Sequence, residues 1–205
     1  MSEVAIIDYG MGNLRSVANA LKVVDAQPVL ISDPEKTRDY ARIIVPGVGA
    51  FAQAIESLHA SGMTQALEEA RQRGAALLGI CLGMQLFCRS SEEDGMHVGL
   101  GWSGADVRRF PVMPGLKVPH MGWDDVRVSR EHPLTAGLAE NSDFYFVHSY
   151  YVDCQTDDAL LSGEYGVPYC AAFAHENVAG VQFHPEKSQQ AGLKLLANFT
   201  TWSPC

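Results

Sequence analysis

Ala75-Ala76-Leu77-Leu78-Gly79-Ile80-Cys81-Leu82-Gly83-Met84-Gln85 is the stretch whose reading decides the fold. It opens as a continuous apolar run, as expected of a strand buried on both faces of a parallel sheet, and passes into a helical pattern. Between the two stands Cys81, with a glycine two residues away on either side. That spacing suits a sharp strand-to-helix turn, where larger side chains would collide with the neighbouring strand and helix. A cysteine there sits at a helix N-terminus, where free backbone N–H groups and the positive end of the helix dipole favour the thiolate. A lone buried cysteine ordinarily packs as a small hydrophobe. The two glycines and the strand before them make Cys81 a candidate nucleophile instead.

Outward from this turn, the first half of the chain alternates strand and helix. Strand patterns fall at 4–7, 29–31, 43–45 and 75–80, and helical patterns at 14–24, 51–58 and 63–70. Beyond residue 95 the pattern changes to strands and turns, at 107–110, 123–128, 144–152, 160–165, 169–174 and 178–183. Leu195, Phe199 and Trp202, spaced i, i+4 and i+7, predict a final helix that covers the sheet. The fold class is α/β: a mainly parallel central sheet with flanking helices and antiparallel strand additions in the second half. There is no repeat, low-complexity tract or linker, so one domain over residues 1–205 is expected.

Two other segments supply chemistry to Cys81. Val178-Ala179-Gly180-Val181-Gln182-Phe183 reads as a strand running into His184-Pro185-Glu186. The His184 imidazole is suited to take the thiol proton and return it to a leaving amine, with Glu186 orienting the ring and stabilising the imidazolium. Arg42-Ile43-Ile44-Val45-Pro46-Gly47-Val48-Gly49 is a strand that breaks into a Pro-Gly-x-Gly loop before the helical pattern of Phe51, Ile55 and Leu58. By itself such a loop is a turn signal. Placed after a strand, an N–H from Gly47 or Val48 joins the N–H of Leu82 as a candidate oxyanion hole.

Composition agrees with a compact enzyme: 205 residues, 47% hydrophobic and 19% charged. The net charge of −9 and the lack of a basic block argue against nucleic acid or an anionic membrane as partner. The N-terminal apolar run is too short for a signal peptide or a span, which points to the cytosol. Five cysteines, at 81, 88, 154, 170 and 205, form no CxxC pair and no zinc-ligand spacing, so neither disulfides nor a metal is expected. Cys88, seven residues past Cys81, is expected two helical turns further along the same helix, facing the core. No cofactor is expected. A dinucleotide-binding module is the alternative of a different class, because Tyr9-Gly10-Met11-Gly12-Asn13-Leu14-Arg15 follows the first strand and Asp33 lies about twenty residues on. Arg15 occupies the place of the third glycine, which weakens that reading.

With these residues in hand, the chain resembles the class I glutamine amidotransferases over nearly its whole length, through the Cys81 elbow and the His184-Pro185-Glu186 segment. Three segments narrow the resemblance: Asp8-Tyr9-Gly10-Met11-Gly12-Asn13-Leu14, Pro119-His120-Met121-Gly122-Trp123-Asp124, and Phe146-Val147-His148-Ser149-Tyr150-Tyr151. They are similar to those of glutaminase subunits that serve a separate (β/α)8-barrel synthase (cyclase) in histidine biosynthesis. Asp124 departs from the asparagine usual there.

The resemblance implies a Cys81-His184-Glu186 triad that hydrolyses glutamine through a thioester, hydrolase chemistry within a lyase complex, and ammonia passed to the barrel partner in a heterodimer. It also implies that Gly49, Gln85, His148, Ser149 and Tyr150 hold the substrate. Gly12, Asn13, Pro119, His120, Met121, Gly122, Trp123 and Asp124 are the expected partner interface, with Trp123 as anchor. A γ-glutamyl peptidase or hydrolase that works without a partner remains the nearer alternative.

Overall fold

The computed structural model describes residues 2–153 and 157–204, so the expectations for Cys154 and Cys205 lie outside the described residues. In chain order the elements are β1 (Glu3–Ile7), α1 (Leu14–Val23), β2 (Gln27–Ile31), β3 (Arg42–Gly47), α2 (Phe51–Ala60), α3 (Met63–Gln72), β4 (Ala76–Cys81) and α4 (Leu82–Leu86). Two short strands, β5 (Ser90–Ser91) and β6 (His97–Val98), precede β7 (Asp106–Arg109), β8 (His120–Val128), β9 (Asn141–His148) and β10 (Tyr150–Val152). The chain closes with β11 (Ala159–Glu164), β12 (Pro168–His175), β13 (Val178–Val181) and α5 (Gln189–Thr201).

The central sheet runs β2-β1-β3-β4-β13, with every neighbouring pair parallel. Beyond β13 it continues antiparallel through β12, β10 and β7. β11 branches from β12 to β8, and β8 pairs with β9 as a long antiparallel ribbon. This is the expected α/β class with antiparallel additions in the second half.

Side-chain alternation explains why helices cover both faces. Val4 and Ile6 of β1, Ile44 of β3 and Leu78 and Ile80 of β4 join one core with Val17 and Leu21 of α1 and Leu195 and Phe199 of α5. Ala5, Ile7, Ile43, Val45 and Leu77 point the other way, into a core with Phe51 and Leu58 of α2 and Leu67 of α3. Strands apolar at every position are the consequence, and all six residues of β4 are buried.

Four expectations need correction. The strand at 144–152 is two strands, interrupted at Ser149. The strand at 178–183 stops at Val181, which frees the next residues to turn into the site. Trp202 is buried but lies past α5 with extended backbone, because the helix ends at Thr201. The elbow helix is only five residues long, so Cys88 lies in the turn that follows it; it is nevertheless buried in the core.

Candidate active site

The parallel strands place the candidate residues at their C-terminal edge, where open α/β sheets bind ligands. Gly47 at the end of β3 stands in register with Cys81 at the end of β4, and Val181 of β13 pairs with Ile80, three residues before His184. Segments more than a hundred residues apart in sequence thus meet at one point.

Cys81 has φ +54° and ψ −110°, a conformation rare outside glycine that costs on the order of 1–3 kcal/mol and persists only when the surroundings enforce it. Here they do. A methyl group on Gly79 would lie 2.6 Å from the backbone of Gly83 and Met84, and one on Gly83 would collide with the Val45 carbonyl. The two glycines let the helix turn back closely against β3 and β4, and the thiol is left at the apex.

His184 is buried, and its Nδ1 lies 2.9 Å from Glu186 Oε1, a carboxylate that is itself 1% exposed. The carboxylate accepts, so Nδ1 carries the proton and Nε2 is the free ring nitrogen. Nε2 is buried without a hydrogen-bond partner among the described residues, as is Glu186 Oε2. Burial works against charging this ring, but contact with the Cys81 thiol and Glu186 outweighs it and raises His184 from 6.5 to about 9. The ring is held from behind as well. The His184 N–H donates to the Tyr145 carbonyl at 2.9 Å, and Ser188 Oγ donates to the His184 carbonyl at 2.6 Å.

Cys81 and His184 open into a cavity of about 320 Å³. Val48, Gly49, Leu82, Gln85, His148, Ser149 and Tyr150, all expected near the site, line it too. Gly47 is buried just behind. Gln85 Nε2 donates to the Tyr150 carbonyl and to Gln182 Oε1, both at 3.0 Å. Burial drives His148 down to about 3, so it is neutral, and its Nδ1 donates to the same Tyr150 carbonyl at 2.8 Å.

Several residues at the site were not singled out from sequence. Gln182, fully buried, points Nε2 at Cys81 Sγ at 3.8 Å, and a polar residue inside an apolar run just before His184 was the available signal. Glu93 lines the cavity and accepts the Phe51 N–H at 2.7 Å, joining it to the start of α2. Tyr9 is buried against Gly47; its hydroxyl has no partner among the described residues, and burial with Cys81 nearby raises it above the usual phenol range.

The expected interface residues divide. Met121 and Trp123 are exposed on the outer face of β8, 62% and 48%, while in the loop before α1 Asn13 is exposed and Gly12 half-buried. Pro119 lines the cavity. His120 is a correction: its side chain is buried, stacked between Phe146 and Tyr165, because strand alternation turns it inward when Met121 points out. Asp124 and Gly122 follow His120 on that inner face. Asp33, the residue a dinucleotide would need, instead accepts the Glu35 N–H at 3.1 Å and caps a short helix.

Among the described residues no helix is long and apolar enough to cross a membrane, and no group of three or more His, Cys, Asp or Glu is arranged to hold a metal ion. The glutamine amidotransferase class-I family model matches residues 5–202. The imidazole glycerol phosphate synthase subunit HisH of Sulfurimonas denitrificans is 47% identical over 97% of this chain and 98% of its own length. The protein of the same name from Methanosarcina acetivorans is 46% identical over 97% and 98%. Among solved structures, PurLQS from Thermotoga maritima superposes with a TM-score of 0.76 at 19% identity, covering 97% of each chain. The crystal structure of another glutamine amidotransferase gives a TM-score of 0.76 at 18% identity, covering 97% of this chain and 99% of that one. The distant structures share the fold, while likeness at this level over almost the entire length places the chain among the class I glutamine amidotransferases and, within them, with the HisH subunits.

Proposed function

We propose that this protein is the glutaminase subunit of imidazole glycerol phosphate synthase, hydrolysing glutamine to glutamate and ammonia in histidine biosynthesis. The observation that carries the chemistry is the strained Cys81 beside a His184 whose Nδ1 is held by Glu186 and whose Nε2 is free. The Cys81 thiolate attacks the carboxamide carbon of glutamine, and His184 gives its proton to the departing ammonia. The resulting γ-glutamyl thioester is hydrolysed by water that loses its proton to His184, which regenerates the thiol. Each step passes through an oxyanion, for which we assign the Leu82 N–H and a donor from the Gly47–Val48 segment, interactions whose loss typically costs about a hundredfold or more. Gly49, Gln85, His148, Ser149 and Tyr150 are the assigned walls for the amino-acid end of glutamine.

Ammonia released into neutral water becomes ammonium, which is not a nucleophile, so it is best handed directly to an acceptor. The relatives are named as subunits of a synthase, and the assigned partner is a (β/α)8-barrel cyclase that docks against the Met121–Trp123 face in a heterodimer. Those names lend nothing to a lyase activity of this chain itself. We assign one glutaminase domain, since β13 from the second half completes the sheet beside β4. We assign the cytoplasm as its compartment, where a working thiol stays reduced.

The experiment is to incubate the protein with a glutamine-derived diazo-ketone and map the adduct by mass spectrometry, alongside glutamate release with and without the barrel partner. Adduct on Cys81 and glutaminase activity are the expected results. Preferential labelling of another cysteine would sink the mechanism, and full activity without any partner would favour a stand-alone γ-glutamyl hydrolase.

A further inference from the structure

The wall of the cavity is connected to the outer part of β8 by a chain of contacts, buried at His120 and His148 and half-buried at Asp124, that the reaction does not itself require. Asp124 Oδ2 lies 3.1 Å from His120 Nε2. His120 Nδ1 lies 3.1 Å from His148 Nε2, and His148 Nδ1 lies 2.8 Å from the Tyr150 carbonyl. That carbonyl also accepts the Gln85 amide at 3.0 Å, so the chain ends on Gln85 and Tyr150, two residues that line the pocket together with Cys81. Local geometry brings it about. His120 and His148 are register partners across β8 and β9, Gly122 between His120 and Asp124 has φ +134°, and the Asp124 carboxylate, four positions on, reaches back to His120. Four positions of extended strand would otherwise separate the two by about 13 Å.

A count of hydrogens shows what is unusual. Three contacts in series need three hydrogens. A carbonyl accepts only, a carboxylate accepts only, and two neutral imidazoles bring one N–H each. Filling all three contacts at once takes a third hydrogen, an added proton between His120 and Asp124, which would make the loaded relay a neutral imidazolium–carboxylate unit. Without it, either Asp124 faces a bare His120 Nε2, or His120 shifts its hydrogen to Nε2 and two bare nitrogens face one another at the His148 contact. In both cases a buried acceptor meets an acceptor.

We propose that Asp124 and His120 are positioning residues for the pocket: one shared proton completes a relay through His148 to the Tyr150 carbonyl, and the pocket holds glutamine most tightly when that proton is present. This rests on the reading of the cavity as the glutamine site.

The surroundings leave Asp124 as the acceptor that faces His120 Nε2. His120 is enclosed by the rings of Phe110, Phe146, Tyr165 and Tyr169 and by His148, and the Tyr165 hydroxyl is turned away to donate to the Lys117 carbonyl at 2.7 Å. His148 additionally faces His184. Asp124 shares a small surface concavity with Asp125, Arg127 and Glu164. Burial pulls His120 below the ordinary histidine range while the Asp124 carboxylate pulls it up, burial being the larger effect. The proton is therefore bound only on the acid side and is released before pH reaches neutrality.

The test compares the wild type with Asp124→Asn and Asp124→Ala in the complex with the barrel partner, measuring kcat and KM for glutamine from about pH 5.5 to about pH 8.5. The Asn amide brings its own N–H to His120 Nε2, so three hydrogens are present without an added proton. Wild-type KM is expected to rise about fivefold with pH, the size of one buried hydrogen bond, while Asp124→Asn shows no such rise and binds glutamine more tightly than wild type at the alkaline end. Asp124→Ala should show the weaker binding throughout. The kcat profile, governed by Cys81 and His184, should have the same shape in all three. A KM profile of Asp124→Asn that superposes on the wild type would overturn the proposal. Nitrogen-15 shifts of the histidine rings in the chain decide the matter independently of activity: His120 should carry hydrogen on both nitrogens in mild acid and lose one as pH rises. A wild-type His120 that never takes the second proton would also overturn it. Absence of glutamine hydrolysis at every pH would count against the proposed function, and the ring shifts would still report on the relay.

Discussion

The roles proposed for Cys81, His184 and Glu186 are separable, and substitution should rank them. Cys81→Ala is expected to abolish glutamine hydrolysis while the complex still turns over on added ammonium salts, since only the glutaminase step uses the thiol; loss of the ammonia-dependent reaction as well would point to a structural role. His184→Ala should match it within about an order of magnitude, because nucleophile and base act as a unit, whereas Glu186→Gln should keep more activity. Steady-state rates that made Glu186→Gln the most damaging of the three would reverse the roles. The raised His184 also links stability to pH. Its folded value, about 9, exceeds the reference 6.5, so its contribution is complete below about 6.5 and is lost as pH rises through about 9. Urea unfolding across that window should show stability falling by at most about 3 kcal/mol, less in Glu186→Gln, where the contact that favours the imidazolium is weakened. Cys81 and His184 were legible as residues because the elbow glycines and the His-Pro-Glu spacing carry local signals. Gln182 and Tyr9 were not, since a buried amide and a buried phenol acquire meaning only from what lies against them.

At the scale of elements, the elbow joining β4 and α4 is the most constrained piece of the molecule. Gly83 packs directly on the Val45 carbonyl of β3, so its replacement has no room that a rotamer change can supply. Gly83→Ala should destabilise the fold by about 3 kcal/mol or more, through overpacking against backbone, and disturb Cys81 at the same time. Thermal unfolding near the wild-type temperature with full activity would contradict this. The inner strands of the parallel sheet, β4 and β13, were legible because burial on both faces makes them apolar throughout. The ends of elements were less so. Nothing in the pattern of 144–152 marks the break at Ser149, and Trp202 keeps helical spacing although the helix has already ended, because it packs into the core from an extended segment.

For the molecule as a whole, coupling to the partner is the expectation that follows from its chemistry, since a glutaminase that ran unregulated would consume glutamine without making product. Glutamate release should increase more than about tenfold when the proposed barrel subunit docks with its ligand bound, equivalent to about 1.4 kcal/mol of barrier. Trp123→Ala should weaken docking and this stimulation together, because Trp123 presents a large apolar surface on the outer face of β8 beside Tyr145, with ring centroids 6.1 Å apart. Unaltered affinity for the barrel in a titration would remove Trp123 as the anchor. By itself the sequence determined the α/β class, the elbow and the candidate nucleophile, base and orienting carboxylate, because period, glycine spacing and short motifs are local properties of a chain. Only the tertiary structure decided that β13 lies beside β4 and so brings His184 to Cys81, that His120 faces inward while Trp123 faces out, and that Asp124 reaches the Tyr150 carbonyl through two histidines. Those facts depend on strand order and register between distant segments, which are set by the packing of the whole core and leave no trace in the spacing of neighbouring residues.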